Sequence, residues 1–429
     1  MNSYQINNRV VITGLGVVAP NGTGINAFTN AIKEGKSGIE YFKELKDLNF
    51  SCCIGGIPKI TDELRQKYFT PLQLKNFNSS GIMYGCIAGC DAWIDAGLHY
   101  AEPDEPDWDS GLIFGTGTSG IEKVREAIYK TDNKEVRRLG SSVLPQTMAS
   151  GISAYLSGML GLGNQVTTNS SACSTGTEAV LMAYDRIKAG RANRMLAGST
   201  SDHGPYIWGG FDAMKVTTYK HNECPEKGSR PMSASASGFV PGSGAGALVL
   251  ESLESAIERN AKIYAEVLGG AVNSGGQRGG GTMTAPNPAA VQRCIRQSIV
   301  NSGISANEID AIDGHLTATS KDFLEVSNWS EALQRNGKNF PYINSLKSMT
   351  GHCLSASGAI ECVASVLELN QSFLYPSINC EDVHPEIAEL IDVNIIPQEL
   401  IRPQKLNIIA KASFGFGDVN ACIIFKKYS

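Results

Sequence analysis

Charge is thin in this chain. Asp, Glu, Lys and Arg together make up 18% of its 429 residues, where about a quarter is usual. With 42% hydrophobic residues beside that, the composition excludes a disordered tail or a coiled coil. The net charge of −5 offers no footprint for a nucleic acid. Long hydrophobic runs are missing too, so no membrane-spanning helix is expected. The opening MNSYQINNRVVITGLG lacks a basic segment followed by an apolar one. A secretory signal is therefore not expected, and the reading places the protein in the cytoplasm. Eleven cysteines are present, an odd number without C-x-x-C pairs. This argues against a disulfide framework or a structural zinc site, and most are read as reduced, buried thiols. SGLIFGTGTSG (110–120) has neither the Walker lysine nor a G-x-G-x-x-G leading into a helix, so no phosphate loop is assigned.

What is there is glycine, 46 residues of it, punctuating short apolar runs. That is the texture of an α/β protein. RVVITGLGVVAPNG (9–22) reads as a β-branched strand ended by a turn, and SGLIF and RMLAGSTS (194–201) as buried strands. Residues 78–97 have helical spacing, with Ile82, Cys86 and Cys90 on one face and Gly97 as the stop. Val180, Tyr184 and Ile187 mark a second helix, closed by Gly190.

The chain also echoes itself. Residues 9–22 resemble 262–276, and 111–119 resemble 310–320. SACSTGTEAVLMAYDRI has the character of GHCLSASGAIECVASVL (351–367), and 240–252 resemble 414–427. The same order of elements occurs twice, which predicts a duplicated fold divided into 1–255 and 256–429. No linker separates the halves, so they are expected to pack as one body.

Cys173 lies in TTNSSACSTGTEAV (167–180), just before a helical pattern. At a helix start, unpaired N–H groups and the positive dipole end favour a thiolate and can receive an oxyanion. A small buried thiol is the competing reading. Histidine is scarce, at six residues. Two of them, His315 in DGHLTATSKD and His352 in KSMTGHCLSASGAIE, follow apolar strands in the second half. Strand ends of that kind gather catalytic side chains in α/β folds. Lys347 stands five residues before His352, and Glu361 offers it a partner.

Taken together, SSACSTG, GHLTATSKD, KSMTGH and SFGFGDVNA resemble the β-ketoacyl-acyl-carrier-protein synthases of the elongating type II class, over the whole chain. The resemblance implies a thiolase-like fold, with duplicated βαβ halves in a five-layered α/β/α/β/α body. It implies decarboxylative Claisen condensation of an acyl-Cys173 intermediate with malonyl-acyl carrier protein, in fatty-acid or specialised polyene or polyketide-type elongation. Cys173 would carry the acyl chain, and His315 and His352 would stabilise the enolate. Lys347, with Glu361, would hold His352. The N–H groups of Cys173 and Phe416 would form a second oxyanion hole, with Phe416 as gate. Thr317 and Thr319 would bind the phosphopantetheine arm, and Thr118 would line the acyl pocket. No metal or cofactor is implied beyond the carrier's arm. The partners implied are acyl carrier protein and a second copy in a homodimer, with a heterodimer as the alternative.

The pattern is broken at several places. Leu316 stands where the family has Gly, and the step to Asp322 is one residue short. MSASASGFV (232–240) replaces a charged loop, and Ala412 and Asp418 replace Asn and Gly. A non-catalytic partner subunit like a chain-length factor therefore stands as the alternative. A thiolase is disfavoured because Cys422 lies in an apolar strand, and Cys353 is likewise read as packing. Arg65, Lys67, Lys75, Lys130, Lys134, Arg137, Arg138 and Lys215 are candidates for docking an acidic carrier protein.

Overall fold

The first strand of the computed structural model is Val10–Ala19, and it is buried along its whole length. The structure describes residues 8–75, 77–102, 104–276 and 283–429. Met1–Asn7, which carry part of the signal-sequence reading, lie outside the described residues. Ten strands follow one another across a mixed sheet. In the first half they are β1 (Val10–Ala19), β2 (Ser110–Thr116), β3 (Val166–Thr167), β4 (Arg194–Ser201) and β5 (Gly244–Ser252). In the second half they are β6 (Ala265–Ser274), β7 (Ala311–Asp313), β8 (Tyr342–Asn344), β9 (Ile408–Gly415) and β10 (Val419–Lys427). A two-residue strand, Gly22–Thr23, pairs with β1 at its end.

The order across the sheet is β8-β7-β9-β10-β6-β1-β5-β4-β2-β3. Each half therefore repeats one topology. In the first half, β1 pairs antiparallel with β5, β5 antiparallel with β4, β4 parallel with β2, and β2 parallel with β3. In the second, β6, β10, β9, β7 and β8 repeat those pairings in that order. Every internal echo seen in the sequence falls on equivalent strands or helices. The halves join where β1 pairs with β6 through Val10, Val11 and Ile12.

Among the helices that cover the two half-sheets are α1 (Ser80–Asp95), α2 (Thr175–Lys188), α3 (Pro288–Asn301), α4 (Asp322–Leu333) and α5 (Ser357–Gln371). The first, α1, packs on β1, β5 and β4, burying Ile82, Cys86 and Cys90. Its first turn is capped by Ser79, and its chain turns away at Gly97. On the other half, α3 packs on β6 and β10, with α4 beside it. Between the halves lie α2 and α5, which touch each other and strands of both. The layers thus run α/β/α/β/α. The crossing of α2 and α5 is close enough to require glycine. A Cβ on Gly176 would stand 2.2 Å from the Ala359 backbone nitrogen, and one on Gly358 2.7 Å from that of Thr177. This contact brings the N-termini of the two central helices together, and each carries a chemical group.

Candidate active site

Each central helix is entered through a tight 3-10 turn. Ala172–Ser174 leads into α2 and Leu354–Ala356 into α5. The two turns match in detail, with Ala172 at φ 49° and Leu354 at φ 52°. In one turn sits Cys173, and two residues before the other sits His352. His315 ends the loop after β7, two residues beyond Asp313. The reactive atoms of Cys173, His315 and His352 lie within 4.8 Å of one another, and all three residues are buried. The two imidazoles meet edge to face at 5.3 Å. A thiolate with two imidazoles also has the composition of a zinc-ligand set.

The hydrogen bonds fix which nitrogen each imidazole presents. Nδ1 of His352 accepts the Leu354 N–H at 3.2 Å and meets Ser357 Oγ at 2.9 Å. Nδ1 of His315 faces Lys347 Nζ at 3.4 Å. With Nδ1 occupied as acceptor, a neutral ring carries its proton on Nε2. Burial, then the charge of Lys347, holds both histidines well below the ordinary value, so both are neutral donors near pH 7.

Lys347 departs from the sequence reading. It was expected to hold His352, its neighbour in sequence, but its Nζ reaches His315 instead. His352 is oriented by Ser357 and the Leu354 amide. Lys347 occupies the start of a short helix, Lys347–Thr350, and pairs with Glu361.

The Cys173 thiol also differs from expectation. Burial pushes it up, and the N–H of Phe416 and the charge of Lys347 only partly offset this. It rests as a thiol, not the thiolate that a helix start alone suggested. The Phe416 and Cys173 amides approach the sulfur and pull its value down in part. Cys353 and Cys422 are packing residues, pushed up to about 12 by burial.

Two carboxylates missed as site residues hold the histidine loop. Glu325 accepts the N–H groups of His315 at 2.6 Å and Leu316 at 2.7 Å. Asp322 accepts those of Thr317 at 3.0 Å, Ala318 at 3.1 Å and Met232 at 2.9 Å. Burial pushes Glu325 up to about 7 and Asp322 up to about 6. Their signal was available: two acids three apart at the start of a helix directly after the histidine motif. Leu316, where a glycine is usual in the motif, is fully buried at φ 22°.

Cys173, both histidines, Thr317, Thr319 and Phe416 line one cavity of about 380 Å³. Thr317 and Thr319 stand with their hydroxyls 3.1 Å apart. Thr118 does not join them. It is exposed in the turn after β2 and lies outside the cavity, so its assignment to the acyl pocket is not met within this chain. The uncharged segment 232–240 is fixed from elsewhere: Asp382 accepts the Ser235 N–H at 3.0 Å and binds Arg230 at 2.9 Å. Asp418 accepts the Asn287 N–H and so ties the Phe416 turn to the start of α3. Ala412 is buried within β9.

Of the docking candidates, Lys215 is at the cavity. Arg65, Lys67, Lys130 and Arg138 pair with Asp62, Asp91, Glu126 and Glu135, which tempers their positive field.

A buried thiol beside two neutral imidazole donors on one cavity, in a thiolase-like fold, is a site suited to chemistry on thioester carbonyls. Residues 7–256 match the β-ketoacyl synthase N-terminal domain and residues 264–381 the corresponding C-terminal domain. The chain is 33% identical to 3-oxoacyl-[acyl-carrier-protein] synthase 1 of Haemophilus influenzae, covering 98% of this chain and 99% of that one. Among solved structures, the ishigamide ketosynthase/chain length factor superposes with a TM-score of 0.87 at 26% identity, covering 99% of this chain and 100% of that one. A type II polyketide ketosynthase bound to its acyl-carrier protein and a hexaketide, AntDE:AntF, gives 0.85 at 28%, covering 98% and 100%. The chain belongs to the β-ketoacyl synthase family, and it is an acyltransferase.

Proposed function

We propose that this chain elongates acyl groups on acyl carrier protein, with Cys173 as the nucleophile. The observation that carries the reading is the convergence of Cys173, His315 and His352 within 4.8 Å on one cavity. The Cys173 thiol attacks the acyl thioester. The new C–S bond forms as the old one breaks, and the thiol proton leaves with the departing pantetheine sulfur. The amides of Cys173 and Phe416 hold the oxyanion. Malonyl-carrier protein then enters, and its C–C bond to the carboxylate breaks to release carbon dioxide. The electron pair becomes an enolate whose oxygen accepts Nε2–H from His315 and His352. The enolate carbon attacks the acyl-Cys173 carbonyl, and the cysteine sulfur leaves as thiolate and takes up one proton from water. Phe416 gates the two half-reactions, and Thr317 and Thr319 bind the pantetheine arm. The chemistry needs neither metal nor nucleotide.

The division of labour follows the duplication: residues 1–255 hold the nucleophile and 256–429 the histidines and lysine. We place the partner copy on the open edge at β3, where Val166 is exposed; a homodimer there would cover that edge. Among the described residues no helix is long and apolar enough to cross a membrane, in keeping with a cytoplasmic enzyme.

Mass spectrometry after incubation with acyl-carrier protein tests the central claim. An acyl adduct on Cys173, absent from Cys173→Ala, is expected. An unmodified protein across a broad panel of acyl donors would overturn it and favour the non-catalytic partner subunit.

A further inference from the structure

Behind His315 lies a second buried lysine that the sequence motifs do not touch. Lys411 sits in the middle of β9, in the run IIAKASFG, with no exposed surface. A lysine in an apolar central strand is rarely found without a buried partner. Its Nζ lies 2.5 Å from Glu361 Oε2, while Lys347 takes Glu361 Oε1. It also donates to the Ala412 carbonyl, and to Ser413 Oγ at 3.1 Å. On the neighbouring strand, the parallel register sets Asp313 opposite Lys411, and Ser365 Oγ donates to Asp313 at 2.9 Å. Burial works against the Lys411 charge, but Glu361 and Asp313 outweigh it and raise its pKa.

One continuous line of contacts results: Lys411, Glu361, Lys347, then His315 Nδ1. Glu361 is a carboxylate held from both sides. Without Lys411 it is free to rotate on its stem, and Lys347 loses its fixed position against the imidazole. A carboxylate between two cations is more constrained than one in a single pair, because each oxygen faces its own charge: Oε1 by a hydrogen bond from Lys347, Oε2 by the ion pair with Lys411.

Resting on the reading of Cys173, His315 and His352 above, we propose that Lys411 is a positioning residue for the decarboxylation half-reaction: it locks Glu361, and through it Lys347, so that His315 presents Nε2–H to the malonyl thioester oxygen. The amides that serve the acylation half-reaction are backbone groups of Cys173 and Phe416, off the line of side-chain contacts that runs from Lys411 to His315.

The test uses the charge-balanced variant Asp313→Asn/Lys411→Met, which removes both members of the cross-strand pair, with Lys411→Gln beside it should the double variant fail to fold. Decarboxylation of malonyl-carrier protein and acylation of Cys173 are measured separately on folded protein. The expected result for either variant is decarboxylation slower by about 10- to 100-fold, with acylation close to wild type. Wild-type decarboxylation would overturn the proposal, since Lys411 would then only balance the charge of Asp313. Equal slowing of both half-reactions would also overturn it. A wild-type protein that neither acylates nor decarboxylates would overturn the reading of the site, and this inference with it.

Discussion

Removing the His352 imidazole should separate the two half-reactions. The ring is fixed by the Leu354 N–H at 3.2 Å and Ser357 Oγ at 2.9 Å on Nδ1, which leaves Nε2–H for the enolate oxygen. One oxyanion donor contributes about 2.7–4 kcal/mol to the transition state. At about 1.36 kcal/mol per decade, His352→Ala should slow decarboxylation of malonyl-carrier protein by about 10²- to 10³-fold. Ser357→Ala keeps the ring and its bond to the Leu354 amide. It loses one hydrogen bond of about 0.5–1.5 kcal/mol, so the slowing should lie between about twofold and about tenfold. Acylation of Cys173 uses the amides of Cys173 and Phe416, and should survive both changes. The assay is carbon dioxide release from malonyl-carrier protein, set against adduct formation on Cys173 by mass spectrometry. If His352→Ala slows both steps equally, or Ser357→Ala slows decarboxylation as much as His352→Ala, then His352 is not the dedicated donor argued here.

Because burial and Lys347 hold His315 and His352 well below the ordinary histidine value, NMR titration of these two imidazoles should show both neutral through about pH 6–8; an imidazole midpoint near about 6.5 would contradict neutral donors. The same shifts set a sign for stability. Below about pH 6.5 the unfolded chain takes up protons at these two residues that the folded one refuses, which lowers stability as pH drops, while Glu325 and Asp322, raised by burial, act in the opposite direction. Gly176→Ala puts a Cβ 2.2 Å from a backbone nitrogen of α5 and should destabilise by about 1–3 kcal/mol or more. Gly158, in the helix Gly151–Leu160, has nothing within 4 Å of an added Cβ, so Gly158→Ala should stabilise by about 0.5–1 kcal/mol. Thermal melts of the two variants check both signs.

Much of the fold was legible because hydrophobic period and glycine punctuation are local. The four internal echoes predicted the repeat, and the register of both halves repeats strand for strand. Cys173, His315 and His352 were legible because each sits at a junction of strand, turn and helix with a recognisable motif. The misreadings share a cause. Nearness in sequence assigns Lys347 to His352, but its Nζ meets Nδ1 of His315. Thr118 lies exposed in the turn after β2, outside the cavity that Cys173 lines. The Cys173 thiol was judged from its helix start, whereas the depth of the cavity decides it.

The sequence by itself determined the two-fold repeat and singled out Cys173, His315 and His352 as the candidate site, since these follow from patterns a few residues long. Only the tertiary structure decided which partners those groups have. Glu325 under the His315 loop, Lys411 beside Asp313, and the Phe416 amide over Cys173 meet across separate strands and helices. Their pairing comes from sheet register and from the close crossing of two helices at glycine. Register and crossing are set by packing the whole core at once, so no short stretch of sequence contains them.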